Sequence, residues 1–170
     1  MFKIPKAMQI YWLECGKPKA SLADSMRIES TIGSTLPAPY VEFITQYGFV
    51  VFGRDFEKRY HFDYAIVYPD RTEIHEGNIR FLLQTEPLLI AYETLTTTEF
   101  DDDEDFPKFP RNYLPVGNDA GMGQILLELG EHTGRIWYWP YNDWAWGTED
   151  NTWLGFVADD FYGFINQLRP

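Results

Sequence analysis

The sequence predicts an α+β protein in which helices flank an antiparallel-rich, mixed β-sheet. In one early segment apolar residues recur at the spacing of a helix, at Tyr40, Phe43, Ile44 and Tyr47. Apolar and polar residues alternate over residues 60–66, which is the period of a half-buried strand. From Tyr113 onward, short apolar runs separated by glycines indicate strands that are joined as an antiparallel meander.

Two helices are predicted before the first strands. In the segment ADSMRIESTIG, Asp24 is the predicted N-cap and Gly33 the predicted end of the helix. The segment LPAPYVEFITQYG follows, with Pro37 and Pro39 in the first turn, where a missing N–H costs little. Gly48 is the predicted C-cap of this second helix.

The middle of the chain predicts strands, then a helix, then a loop. FVVFG (49–53) and YHFDYAIVY (60–68) are typical of strands because the first is a short apolar run and the second alternates. IRFLLQTEPLLIAYETL fits either element, and we favour a helix from about Glu86 to Leu95. The acidic, proline-containing TTTEFDDDEDFPKFPRN predicts a solvent-exposed loop.

The last third predicts three strands and a closing helix. The strands are Tyr113 to Val116, Gln124 to Leu129 and Arg135 to Tyr138, and the loops between them carry Gly117, Gly121, Gly130 and Gly134. YNDWAWGTEDNTW is predicted to be a loop or a short strand. DDFYGFINQL has helical spacing, with Asp159 or Asp160 as its cap.

Composition narrows the class of protein. The 170 residues suggest one domain, and a net charge of −12 repels phosphate backbones, so direct nucleic-acid binding is not expected. The same charge would speed the approach of a basic partner, or would simply keep an aromatic-rich chain soluble. The single Cys15 allows no intramolecular disulfide and no cysteine-based zinc site. With no secretory signal or membrane span in the pattern, we expect a cytoplasmic protein without membrane attachment.

Four segments, in order, carry a resemblance to a known family. They are IESTIGSTLPAPYVEFITQYG, YLPVGNDAGMGQILLEL, GRIWYWPYND and FVADDFYGFINQL. Together they resemble the SUKH superfamily, the Smi–Knr type domain. The family-motif positions that match include Leu36, Pro37, Tyr40, Gly117, Asp119, Gly121, Phe161 and Phe164. Met122 stands where the family often has Gly, and Gln124 stands where Asp or Asn is common. These departures argue against a function that requires the exact family loop.

The resemblance runs from about Asp24 to Leu168, with residues 54–111 unmatched. We therefore expect one SUKH-like domain over residues 1–170, with an N-terminal arm (1–20) and a core (24–168). Tyr11 and Trp12 of the arm are expected to pack on the body. The resemblance implies a sheet flanked by helices and a protein that binds other proteins. Many bacterial members look like immunity proteins that neutralise a polymorphic or contact-delivered toxin, frequently a nuclease, and others are regulatory scaffolds without catalysis.

The Gly-rich segment GNDAGMG resembles a phosphate loop only superficially. A phosphate cradle needs glycines that lead into a helix, and a Walker-type loop needs Lys followed by Ser or Thr, whereas Gln124 and a strand follow here. The structural interpretation is that the glycines supply positive φ in a turn while Asp119 accepts hydrogen bonds from backbone N–H groups. A minority alternative places this loop at the rim of a partner site.

The acidic run is a candidate for partner binding. Its spacing begins like a calcium loop, but Phe106 stands where that loop needs Gly and Asn112 where it needs Glu, so we expect no metal. A solvated loop is one interpretation. The other is phosphate mimicry in the basic groove of a nuclease, by Asp101, Asp102, Asp103, Glu104 and Asp105.

Trp144 and Trp146 are the candidate anchors. They are two positions apart, so in an extended segment their side chains share one face. Tryptophan dominates the energetics of many interfaces, although these two could equally cover a sheet edge.

No constellation predicts catalysis or a cofactor. His61, His75 and His132 are far apart in sequence, and His61 falls on the polar side of its alternating strand. Neither a nucleophile elbow nor a His-Glu-x-x-His helix occurs. We expect a non-enzymatic binding protein whose partner is a toxin with a basic surface, and a regulatory scaffold module is the alternative. Exposed aromatics could also serve a homodimer, so the oligomeric state stays open.

Overall fold

The computed structural model describes residues 1–6, 8–9, 18–52, 60–97, 109–119, 121, 123–140 and 154–170. The described helices are α1 (Leu22–Ile32), α2 (Ala38–Gln46), α3 (Thr85–Thr97) and α4 (Phe161–Gln167). The described strands are β1 (Tyr60–Val67), β2 (Thr72–Ile79), β3 (Phe81–Leu82), β4 (Tyr113–Asn118), β5 (Gln124–Glu128), β6 (Ile136–Trp139) and β7 (Gly155–Ala158). The predicted α+β class is confirmed.

The strands form a seven-stranded sheet in the order β2-β1-β7-β6-β5-β4-β3. Every described pairing is antiparallel. The predicted meander is β4-β5-β6, and β7 joins it to the β1-β2 hairpin by inserting between β1 and β6. β2 and β3 are therefore the two edge strands of this sheet.

Helices cover one face of the sheet, which we call the inner face. Tyr40 and Phe43 of α2 meet Phe161 of α4 at ring-centroid distances of 5.1 and 5.4 Å. Phe164 meets Phe62 of β1 at 5.6 Å, and all five rings are fully buried. Because burying one such side chain contributes about 1.5–3 kcal/mol, this aromatic layer is a main source of stability.

The N-cap of helix α1 is Ser21 rather than the predicted Asp24. The Ser21 hydroxyl accepts from the Asp24 N–H, and Asp24 Oδ2 accepts from the Ser21 N–H at 2.8 Å. Asp24 is thus the third helical residue of a capping box, and these hydrogen bonds lower the pKa of its carboxyl. The helix ends at Gly33, as predicted, with φ of 67°.

Helix α2 contains Pro39 in its first turn, as predicted, whereas Pro37 is its N-cap rather than a residue of that turn. Its C-cap is Tyr47, so the prediction of Gly48 is one residue too late. Gly48 has φ of 89°, and a Cβ there would lie 2.7 Å from the Pro18 carbonyl oxygen. The end of the N-terminal arm runs beside this point, where Ala20 N–H donates to Ile44 O at 2.9 Å. Tyr11, Trp12 and Cys15 lie outside the described residues.

Several predicted elements differ from the structure. Within the described part of FVVFG, Val51 forms a single antiparallel bridge to Phe81 of β3. Two backbone hydrogen bonds flank this bridge, from Leu82 N–H to Val50 O at 3.0 Å and from Phe52 N–H to Arg80 O at 2.7 Å, so the run lies beside β3 without forming a longer strand. The helix predicted from Glu86 to Leu95 extends from Thr85 to Thr97. Asp160 is the cap of α4 and accepts from Gly163 N–H at 2.7 Å. Strands β2, β3 and β7 were not predicted from the sequence.

Candidate functional site

The residues predicted to bind a partner lie outside the described part of the chain. Residues 98–108 contain Asp101, Asp102, Asp103, Glu104 and Asp105, and residues 141–153 contain Trp144 and Trp146. Their roles therefore stay predictions. The structure does describe the residues on either side of each segment.

These ends meet in a small apolar cluster, which we call the outer cluster: Phe109, Leu126 and Trp139, with Leu95 and Leu154 packed against it. Leu95 and Phe109 flank residues 98–108, and Trp139 and Leu154 flank residues 141–153. Phe109 N–H donates to Leu95 O at 2.9 Å, and the rings of Phe109 and Trp139 are 4.8 Å apart. The described residues that flank both candidate segments thus meet in one cluster.

The outer cluster lies on the sheet face opposite α2 and α4, and Leu95 at the end of α3 packs against it. Side chains alternate along a strand, and Ile125 and Leu127 of β5 belong to the helix-covered core, so Leu126 points the other way. On this outer face Trp137 packs against Tyr113 and Phe156, at ring-centroid distances of 6.4 and 5.4 Å. The face is therefore aromatic around the point where the two segments attach.

Glu128 is the buried carboxylate of the outer face. Its side chain is 8% exposed, and Oε2 accepts from the Trp137 indole N–H at 2.7 Å. Burial, followed by the Glu128 charge, raises the pKa of the neighbouring Tyr113. This hydrogen bond orients the Trp137 indole on the outer face.

Asp119 organises the turn between β4 and β5. Its Oδ1 accepts from the N–H groups of Gly121 and Gly123 at 2.6 and 2.8 Å, which confirms the predicted bonding to the backbone. The predicted positive φ is wrong, because Gly117, Gly121 and Gly123 do not adopt it. Gly117 also lies within β4 rather than in the loop. The amides that would hold a phosphate are therefore occupied by Asp119.

Gly123 is required by close approach rather than by φ. A Cβ on Gly123 would lie 2.4 Å from Asp119 Oδ2 and 2.8 Å from the Tyr138 hydroxyl. That hydroxyl donates to Asp119 Oδ2 at 2.6 Å. Both oxygens of Asp119 are thus satisfied within the protein, which is a structural arrangement.

Tyr138 links this turn to the core. Its ring meets Phe62 and Tyr64 at 5.3 and 5.0 Å. Desolvation, then the hydrogen bond to Asp119, raises the pKa of Tyr138 far above its ordinary value. The phenol therefore stays protonated and continues to donate at neutral pH.

A charged cluster on the β1-β2 hairpin was not predicted from the sequence. Arg169 Nη2 contacts Asp63 Oδ1 at 2.6 Å and Glu76 Oε2 at 2.8 Å, and His61 Nδ1 lies 3.1 Å from Glu76 Oε1. The hydrogen bond to Asp63 is the main cause of the raised pKa of Arg169. His61 does lie on the polar face of its strand, as predicted, but the hairpin register that supplies Glu76 could not be read from the sequence.

The described part of the chain contains neither a cluster of metal-ligating side chains nor a membrane-spanning helix. Over those residues, no group of three or more His, Cys, Asp or Glu side chains is arranged to hold a metal ion. None of the described helices has the length and apolar character needed to cross a membrane.

The fold and the turn define a class of protein: an α+β domain with an antiparallel sheet, helices on one face and a Gly-Asp turn at its centre. The family-motif residues Leu36, Pro37, Tyr40, Phe161 and Phe164 are all buried. The chain belongs to the SMI1/KNR4 family (SUKH-1), whose sequence profile matches residues 19–167. The match confirms the resemblance and includes residues 54–111, which the motifs left unmatched.

A curated relative is similar over most of the chain. The SPbeta prophage-derived uncharacterized protein YokK of Bacillus subtilis (strain 168) is 23% identical over 155 residues, covering 82% of this chain and 72% of that protein.

Proposed function

We propose that this protein is an immunity protein that binds and neutralises a cognate bacterial toxin in the cytoplasm, without catalysis or a cofactor. The toxin is of the polymorphic or contact-delivered kind and is a nuclease with a basic active groove. Neutralisation is stoichiometric, by occlusion of that groove or of its exit path. Membership of the SUKH-1 family and the net charge of −12 support this proposal.

The observation that carries the proposal is the shared attachment of the two candidate segments. Phe109 follows the acidic segment that contains Asp101 to Asp105, Trp139 precedes the segment that contains Trp144 and Trp146, and the two residues meet in the outer cluster. Acidic groups near aromatic anchors are what a basic groove would recognise. In this proposal the carboxylates raise the association rate constant and the tryptophans lower the dissociation rate constant.

The test is co-expression with the product of the adjacent gene. Immunity predicts that the neighbour alone is lethal, that this chain restores growth, and that the two proteins co-purify in equal amounts. A harmless neighbour, together with recovery of a housekeeping protein in pull-downs, would instead favour the regulatory scaffold alternative. A metabolite screen that raises the melting temperature would favour a small-molecule sensor.

A further inference from the structure

The edge strand β2 presents backbone groups that no described strand uses. Tyr68 N–H donates to Arg71 O at 2.8 Å and closes the hairpin. Counting from this closed pair, hydrogen-bonded pairs with β1 recur at every second residue, at Glu73, His75 and Gly77. The N–H and C=O groups of Thr72, Ile74 and Glu76 therefore point away from the sheet, into solvent.

An apolar row crosses the sheet and ends at this edge. The strand registers align six residues on the outer face: Pro115, Leu126, Trp137, Phe156, Ala65 and Ile74. Ile74 is the last of them, and its exposure is 68%. Edge strands usually carry a charge or a bulge where they would otherwise pair, so an exposed isoleucine at the centre of the edge is unusual.

We propose that β2 pairs antiparallel with β2 of a second copy of this chain, with Ile74 on the two-fold axis. The apolar row then continues into the second copy through the contact between the two Ile74 side chains. Thr72 lies opposite Glu76, and the three outward residues of each strand can form about six backbone hydrogen bonds. This surface stands independently of the proposed toxin partner.

Charge selects this register. With the axis at Ile74, each Glu73 lies opposite a His75, and Glu73 already lies 3.4 Å from His75 and 2.7 Å from Arg71 within one chain. Each Glu73 carboxylate would therefore face a nitrogen-bearing side chain of the second copy rather than another carboxylate. An axis at Glu73 or Glu76 would oppose two carboxylates, and an axis at Thr72 would run off the end of the strand. An axis at His75 would oppose two imidazoles and would place Ile74 opposite Glu76. An axis between two residues would set outward backbone groups against inward ones.

The net charge of −12 per copy opposes association at long range. Screening shortens that repulsion to about 10 Å at 0.1 M salt, whereas the backbone hydrogen bonds and the Ile74 contact are little affected. Association should therefore strengthen as ionic strength rises, which is the opposite of what an interface held by attraction between net charges would do.

Sedimentation velocity on the full-length protein tests the proposal directly. Between micromolar and near-millimolar concentrations at 0.5 M NaCl, the mass should rise from the 19.9 kDa of the monomer to twice that value. I74P removes the N–H at the axis and should abolish the dimer, whereas I74T keeps the N–H and should retain it. A wild-type protein that stays monomeric, or a dimer that survives in folded I74P, would overturn the proposal.

Cysteine cross-linking tests the register even if I74P fails to fold. In a C15S background, I74C should form an interchain disulfide, because directly opposite Cα atoms in a hydrogen-bonded pair lie about 5.5 Å apart, within disulfide range. T72C and E76C should not cross-link alone but should do so when mixed. Faster cross-linking of E76C alone than of I74C would overturn the proposed register.

Discussion

The backbone N–H of Phe109 lies 2.9 Å from the carbonyl oxygen of Leu95, so the residues on either side of the acidic segment are hydrogen-bonded to each other. The ring of Phe109 packs on Trp139, which lies two positions before residues 141–153, the segment that contains Trp144 and Trp146. The contact therefore brings together, on the outer sheet face, residues that flank the two segments with the proposed binding residues.

Charge reversal of the acidic segment should slow association with the toxin. The triple variant D101K/D102K/D103K removes electrostatic steering, and we expect the association rate constant to fall about 10- to 100-fold at low salt. The control D70K/E93K/E131K makes the same change in net charge at exposed positions outside both segments. Stopped-flow measurements in which both triple variants slow association equally would show that only net charge matters.

Removal of the tryptophans should act on dissociation instead. Truncating an interface anchor costs about 2 kcal/mol, so W144A and W146A should each raise the dissociation rate constant about 30-fold with little change in association. Surface plasmon resonance separates the two rates. Unchanged dissociation in both variants would assign the tryptophans to the protein's own packing.

The same Tyr-to-Phe change should have opposite effects at two buried positions. Y138F removes the donor to Asp119, and we expect the free energy of unfolding to fall by about 2 kcal/mol. The Tyr40 hydroxyl is fully buried and has no hydrogen-bond partner among the described residues. Y40F should therefore be neutral or should add about 1 kcal/mol. Urea denaturation compares the two, and equal losses would contradict the assigned hydrogen bonds.

Two glycines of one turn should differ sharply in their tolerance of alanine. G123A places a methyl group against Asp119 and Tyr138, and we expect a loss of about 2 kcal/mol or more. G121A is the matched control, because its Cβ would meet Asp119 Oδ1 at an ordinary 3.6 Å. Its stability should stay within about 0.5 kcal/mol of wild type. Equal melting temperatures for the two variants would rule out this packing.

Alkaline pH should unfold the protein through its buried phenols. Burial raises the pKa of Tyr40 and Tyr138, while an unfolded tyrosine ionises near about pH 10. The folded state therefore holds these protons more tightly. This stability is fully present below about pH 10 and is lost as the pH rises towards the folded-state pKa values. Urea midpoints measured from pH 8 to 12 should fall above pH 10, and less steeply in Y40F/Y138F; parallel slopes would contradict this.

Sequence reasoning predicted the elements in which local and tertiary preferences agree. The meander and helices α2 and α4 have clear periods, and their apolar faces are the buried ones. Strand β2 was missed because an edge strand with one polar face has little apolar signal: Ile74 is exposed, and only Gly77 and Ile79 are buried. In FVVFG the apolar run indicated burial correctly, but its described strand pairing is limited to one antiparallel bridge with β3.

The candidate site was harder to predict because it depends on contacts between residues that are far apart in sequence. The role of Asp119 in the backbone turn followed from its position among glycines, but its bond to Tyr138 joins this turn to β6, which lies farther along the chain. The Asp63, Glu76 and Arg169 cluster likewise depends on hairpin register and on where the C-terminus lies. The shared attachment of the acidic and tryptophan segments depends on Phe109 and Trp139 meeting across the fold.

Titration of the purified product of the adjacent gene tests the central claim most directly. Its toxic activity, assayed as nuclease cleavage of a labelled substrate, should fall linearly with added protein and reach zero at one equivalent. The D101K/D102K/D103K variant should need an excess when mixing times are short. Full toxin activity in the presence of a tenfold excess of wild-type protein, with no complex by light scattering, would contradict the account.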